Sequence, residues 1–302
     1  MRLTGLVRRR RRAGPYDALL RRRTPEALAW LAPTVGDLLK LCRAQANPVY
    51  LGANTALCSC FGLFKLYVDT RDRGFASNLL LDGYWEPSVT LLVAQAVRPG
   101  MTVIDVGANY GYYTLLLGWL VGDRGRVVAV EPNPEAAASL HRSVELNGAA
   151  ARISVINAAA GDSDGGEALL FVPESEPKNA TIVASPEAMG PAAGQVHSVP
   201  RVTLDRIAAE LPRVDFIKID AEGAEAAIIA GMRAMLLRDK PCLMLEFNAG
   251  RGADPGRMLD ELSVIYGQLR YINDLGEPVA ASRDYLLAER RGFDWLLCLG
   301  LD

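Results

Sequence analysis

The sequence predicts an α/β protein built on a doubly wound, mostly parallel sheet, with a largely helical extension on its N-terminal side. Three observations predict it. Short apolar runs at 101–106, 126–130, 153–157, 215–220 and 242–247 have the continuous hydrophobicity of strands buried on both faces. Helix-like stretches alternate with these runs, as parallel crossovers require. Acidic residues close several of the strands: Asp105, Glu131, Asp220 and Glu246 stand at or near their carboxyl ends, where open parallel sheets bind ligands. At 302 residues, half of them hydrophobic, the chain is long enough for one large domain, expected over 81–302, and an extension over 1–80.

The extension opens with two arginine blocks, Arg8 to Arg12 and Arg21 to Arg23, read as a solvated arm. The whole chain carries a net charge of −2, which argues against dedicated nucleic-acid binding. No long apolar region follows the first block, so no secretory signal is expected, and no run reaches membrane-spanning length. Five scattered cysteines and two histidines give neither a disulfide framework nor a zinc site, so no metal is expected and the reducing cytoplasm is the simplest compartment. Helices are expected between Tyr16 and Ala46, with Thr24-Pro25-Glu26 as a start signal, followed by a strand at Phe64 to Asp69. An apolar helix from Val89 to Val97 stops before Pro99-Gly100.

Met101 to Pro132 then reads as one strand–loop–helix–strand unit. The loop Gly107-Ala108-Asn109-Tyr110-Gly111 lets a ligand approach the backbone, and the helix from Tyr112 to Val121 offers its unpaired N–H groups. Glu131, ending the second strand, can take both hydroxyls of a ribose. A nucleoside-bearing ligand follows. The glycines lack the G-x-G-x-x-G spacing of dinucleotide folds, and no Gly-Lys-Ser/Thr follows as in a P-loop.

Asn133-Pro134 starts a helix that ends at Asn147-Gly148. Gly161 to Pro200 breaks the alternation. Short strands at Leu169 to Val172 and Val196 to Val199 flank a proline-rich stretch that could form a lid, with Lys178-Asn179-Ala180-Thr181 as its polar part. Thr203 to Leu211 is a helix candidate. In Val214 to Glu225, Lys218 and Asp220 share one strand face, and Glu222-Gly223 opens a helix running to about Met235. Asp254-Pro255 starts another helix, and Tyr271-Ile272 and Trp295 to Leu299 are expected as antiparallel edge strands.

The D-x-G-x-N-x-G loop with its downstream acid resembles the first motif of class I S-adenosylmethionine-dependent methyltransferases, which are Rossmann-like. Together, VIDVGANYGYYT and DFIKIDAEGAEAAIIAG resemble the FkbM family of these enzymes, over roughly Asp82 to Asn248. The resemblance implies S-adenosylmethionine as cofactor, bound by Asp105, Gly107, Asn109, Gly111 and Glu131, with Asn157 at the adenine edge. It also implies O-methylation of a hydroxyl on a small molecule, sugar or glycan. By position Asp220 is the leading base candidate, with Glu222 and Glu246 behind it; each could equally serve cofactor binding, capping or pairing with Lys218. Gly83-Tyr84-Trp85-Glu86 sits where the family often has an acidic residue. Two other readings stay open, a nicotinamide-dependent oxidoreductase and a non-catalytic cofactor-binding regulatory protein.

Overall fold

The computed structural model describes residues 35–189, 192–252, 254–273, 276–289 and 292–301. Both arginine blocks and the Thr24-Pro25-Glu26 signal lie outside them. At the centre is an eight-stranded sheet ordered β14-β13-β15-β12-β11-β4-β5-β6. Its parallel half comprises β4 (Thr102–Val106), β5 (Arg126–Val130), β6 (Ile153–Ile156), β11 (Phe216–Ile219) and β12 (Cys242–Phe247). The chain winds outward from β4 through β5 to β6, then returns to place β11 on the other flank of β4. That reversal puts a crevice at the carboxyl ends of β4 and β11.

Alternate strand residues feed two cores, as the period of two demands. Val103, Phe216 and Met244 face one, and Ile104, Ile217 and Leu243 the other. By the same parity Asp105, Lys218 and Glu246 stand on the first face. Helix α4 (Tyr112–Val121) covers that face and is apolar all round because another layer covers it in turn. Leu116 is wholly buried there, and its truncation to Ala would cost about 2–5 kcal/mol.

The outer layer is mixed rather than largely helical among its described residues. Helix α1 (Val35–Gln45) and helix α2 (Arg73–Leu81) accompany an antiparallel sheet of β1 (Val49–Gly52), β2 (Thr55–Cys60) and β3 (Phe64–Asp69). Helix α1 falls within the helical stretch expected between Tyr16 and Ala46, and of the three strands only β3 was legible. In β2 the buried positions are the small Ala56, Cys58 and Cys60, which give weak hydrophobic alternation. The layer shares its core with the main sheet, Leu38 and Leu66 joining the same cluster as Leu116 and Leu120. After α2 come α3 (Pro87–Ala96), then, following β5, α5 (Pro134–Leu146), capped by Asn133 and opened by Pro134 as expected.

The region after β6 forms its own four-stranded sheet, β7-β10-β8-β9, from β7 (Ala159–Ala160), β8 (Glu167–Pro173), β9 (Thr181–Val183) and β10 (Gly194–Val202). Its strands run longer than the two expected. Helix α6 (Leu204–Ala209) follows.

The single helix expected to run to Met235 is two, α7 (Glu225–Ala230) and α8 (Arg233–Asp239). The break has two causes. A Cβ at Gly231 would clash with the Gly161 carbonyl oxygen, and Asp205 accepts the N–H groups of Ala234 and Met235 at 3.0 and 2.8 Å, capping a new start. Helix α9 spans Pro255–Tyr266. Strand β15 (Trp295–Leu299) lies inside the sheet between β12 and β13 (Leu269–Ile272). The edge belongs to β14 (Pro278–Ala281), which together with α10 (Arg283–Ala288) gave no sequence signal.

Candidate active site

Three residues of the loop after β4 take left-handed backbone, Gly107 (φ 72°), Asn109 (φ 50°) and Gly111 (φ 99°). Two of them are glycine for steric reasons. A Cβ at Gly107 would collide with the Asp220 carbonyl oxygen, and one at Gly111 with the Leu140 side chain. The close approach at Gly107 comes from pairing of β4 with β11, where the Asp220 N–H donates to the Val106 carbonyl at 3.1 Å. The Gly107 loop and Asp220 are therefore immediate neighbours.

Glu131 braces the loop. Its Oε2 accepts the Asn109 N–H at 2.6 Å and its Oε1 the Asn133 N–H at 2.8 Å, leaving lone pairs on both oxygens. Burial pushes the Glu131 carboxyl up to about 7, against the opposing pull of those two N–H groups. Asp105 is wholly buried beneath the loop. Its Oδ2 accepts from the Thr114 hydroxyl at 2.6 Å, while its Oδ1 has no partner among the described residues. Burial raises its carboxyl and the Lys218 ammonium lowers it. Asn157 is exposed, and its amide donates to the Glu131 and Pro132 carbonyls at 2.8 and 3.0 Å.

A cavity of about 350 Å³ opens over the loop. Gly107, Asn109, Glu131, Asp220, Glu222 and Glu246 all line it. Asp105 and Gly111 lie behind the wall, and Ala159 and Ala160 take the lining place next to Asn157. Asp220, Glu222 and Glu246 each offer an oxygen within 4.8 Å of the others, a spacing that would also admit a cation. Glu222 reaches this position on a left-handed backbone (φ 50°), in a turn whose Ala221 and Gly223 N–H groups donate to Glu225 Oε1. Glu246 is pushed up to about 9 by burial first, then by Asp220, Asp294 and Glu222, so it holds its proton at neutral pH. Burial likewise raises Glu222, with Asp220 adding to the shift.

Several lining residues come from segments that carried little sequence signal. Arg251 Nη1 lies 3.0 Å from Glu222, 3.5 Å from Glu246 and 3.4 Å from Asp294, bridging three carboxylates. Glu86 caps α3 with left-handed backbone (φ 41°) and accepts from the Tyr113 hydroxyl at 2.8 Å. Pro177, Lys178, Asn179 and Ala180 line the cavity, which includes three of the four residues singled out as the polar part of the expected lid. Asp72 accepts the Lys178 N–H at 2.9 Å at one end, and the Thr181 hydroxyl donates to the Glu222 carbonyl at 2.9 Å at the other. The acid in Gly83-Tyr84-Trp85-Glu86 lines the cavity as well.

A glycine loop at the switch point of a parallel sheet, with Glu131 closing the next strand, is the arrangement of a class I methyltransferase fold. The family model for the methyltransferase FkbM domain matches residues 105–275, more than half the chain. The chain belongs to the FkbM methyltransferase family, and its methyl donor is S-adenosylmethionine. It is 40% identical over 58 residues to protein-L-isoaspartate O-methyltransferase 1 of Arabidopsis thaliana, covering 19% of this chain and 25% of that protein. It is 33% identical over 109 residues to protein-L-isoaspartate O-methyltransferase of Hyperthermus butylicus, covering 33% of this chain and 42% of that protein. The chain thus spans less than half the length of these relatives. The solved structure of methyltransferase FkbM from Methylobacillus flagellatus KT aligns with a TM-score of 0.42 at 18% identity, over 70% of this chain and 50% of that one.

The residues present fit this donor. Glu86, Glu131, Asp220, Glu222, Glu246 and Asp294 line the cavity against Lys178, Lys218 and Arg251, an excess of acids that suits a ligand bearing an ammonium and a sulfonium, and the unpartnered Asp105 oxygen lies beneath the loop. No helix among the described residues is long and apolar enough to cross a membrane.

Proposed function

We propose that the protein transfers the methyl group of S-adenosylmethionine to a hydroxyl oxygen of a small molecule, sugar or glycan. The observation that carries this reading is the convergence of Asp220, Glu222 and Glu246 in the cavity that the Gly107 loop also lines. When bound, the donor supplies an electrophilic methyl on a sulfonium. Transfer is an in-line displacement, so positioning is the main task of the chain. Gly107, Asn109 and Glu131 hold the donor, Asp105 lies beneath their loop bonded to Thr114, and Asn157 buttresses Glu131 through its backbone carbonyl. Asp220 takes the hydroxyl proton as the oxygen–carbon bond forms and the carbon–sulfur bond breaks. Protonated Glu246 donates a hydrogen bond to a second acceptor oxygen, and Glu222 accepts from a neighbouring hydroxyl. A polyhydroxylated acceptor fits this mixture of donors and acceptors.

Family membership favours methyl transfer over hydride transfer. The five free cysteines support a reducing compartment such as the cytoplasm as the setting. The reading is tested by a screen of sugars and hydroxylated metabolites that follows S-adenosylhomocysteine release. Turnover with a hydroxyl acceptor, lost in Asp220→Asn, supports it. Turnover confined to amine or carboxyl acceptors contradicts the hydroxyl assignment, and donor binding without turnover of any acceptor favours a regulatory role.

A further inference from the structure

Lys218 is a buried cation that the scheme above leaves without a task. Its side chain is 6% exposed, its ammonium donates to Asp220 Oδ2 at 3.1 Å, and it stands 4.8 Å over the Tyr113 ring centroid. Burial opposes its charge, yet Asp220, Asp105 and Glu86 together hold it above the ordinary lysine value. These three carboxylates reach it from the end of β11, from β4 and from the cap of α3, and Glu246 on β12 also feels its charge. One cation thus serves three carboxylates where the two halves of the crevice meet.

A purely structural pair has no reason to face a cavity. Lys218, Asp220, Glu86 and Tyr113 all line it, and the second Asp220 oxygen takes no hydrogen bond among the described residues. Tyr113 is fixed over Lys218 by its hydroxyl's bond to Glu86. The lysine therefore restrains one Asp220 oxygen and leaves the other for a ligand.

We propose that Lys218 is a positioning residue of the methyl-transfer site: it clamps Asp220 by one oxygen and limits the excess negative charge that Asp105, Glu86 and Asp220 concentrate there. The inference rests on reading this cavity as the methyl-transfer site. Its physical reason is differential binding. As the methyl moves, positive charge leaves the sulfur, so a wall that is too negative stabilises the cationic donor more than the transition state and slows transfer. Lys218 holds that imbalance down.

The test needs no acceptor. Dissociation constants for S-adenosylmethionine, a sulfonium cation, and S-adenosylhomocysteine, its neutral thioether, are measured by calorimetry for the wild type and four variants. The ratio Kd(homocysteine form)/Kd(methionine form) reads the field at the sulfur and is insensitive to damage shared by both ligands. In Lys218→Met it rises at least about fivefold, in Lys218→Arg it stays within about twofold, and in Asp220→Asn it falls about threefold or more. The double variant Asp220→Asn/Lys218→Met keeps the local net charge and returns within about twofold of the wild type. An unchanged ratio in Lys218→Met, whatever its melting temperature, makes the lysine structural and overturns the proposal. Should Lys218→Met fail to fold, the double variant is compared with Asp220→Asn, and no rise in the ratio between them overturns it equally. A wild type that binds neither ligand defeats the donor reading itself, and this inference with it.

Discussion

Two groups of residues line or brace the crevice, and they are made differently. The group proposed to hold the donor is backbone: three left-handed residues within five positions, two of them glycines pressed against neighbours, braced by one acid 22 residues after Asn109. The charged remainder of the lining is side chain, assembled from Glu86, Lys178, Lys218, Asp220, Glu222, Glu246, Arg251 and Asp294, which span most of the described chain. The first is a shape set by close backbone contacts. The second is a charge balance that can be adjusted by one residue at a time.

This difference can be broken first at Gly107. Gly107→Ala forces a Cβ against the Asp220 carbonyl from a left-handed position, so the loop must move and donor affinity should fall by about a hundredfold or more, read by calorimetry. An affinity within threefold of wild type would show that the cradle is softer than its geometry implies. In the second group, Asp220→Asn should lower kcat by about two to three powers of ten while donor Kd shifts less than about tenfold. Equal losses in both would place Asp220 with the donor instead.

The contrast also explains what the sequence disclosed. The sheet, the crossover helices and the donor loop were legible because each is encoded locally, by runs such as Val127 to Val130, by Asn133-Pro134, or by Gly107 and Gly111. Asp220, Glu222 and Glu246 were found because they end strands or open a turn. Arg251 and Asp294 were not, since each acquires meaning only by meeting a carboxylate contributed from another segment. Strand β1, which buries none of its residues, strand β2, built on small buried residues, and the edge strand β14 lacked the hydrophobic alternation that reveals a strand. The break at Gly231 depends on contact with Gly161, which no local pattern records.

A smaller effect separates the two groups by pH. Glu246 is raised from its ordinary 4.5 to about 9, so the folded state holds this proton more tightly than the unfolded chain. The stability linked to it is complete below pH 4.5 and is lost as pH rises through about 9. Glu246→Gln cannot titrate, so its stability relative to wild type should grow between pH 7 and 9, by at most about 1.4 kcal/mol per pH unit. Denaturant melts across that range check it; parallel curves would mean that Glu246 is already ionised at pH 7. The smallest effect is expected from chelation. Arg251 already supplies a cation to Glu222 and Asp294, and Glu246 keeps its proton, so EDTA should leave turnover within about twofold, and its abolition would instead assign the Asp220, Glu222 and Glu246 cluster to a metal.

The most direct measurement is a crystal structure with S-adenosylhomocysteine bound. The expected complex has the ribose hydroxyls on Glu131, the homocysteine amine toward Asp105, and the sulfur facing the Asp220 carboxylate across the width of one methyl group. A sulfur turned away from Asp220, or an adenosine lying over Glu222 and Glu246, would contradict it.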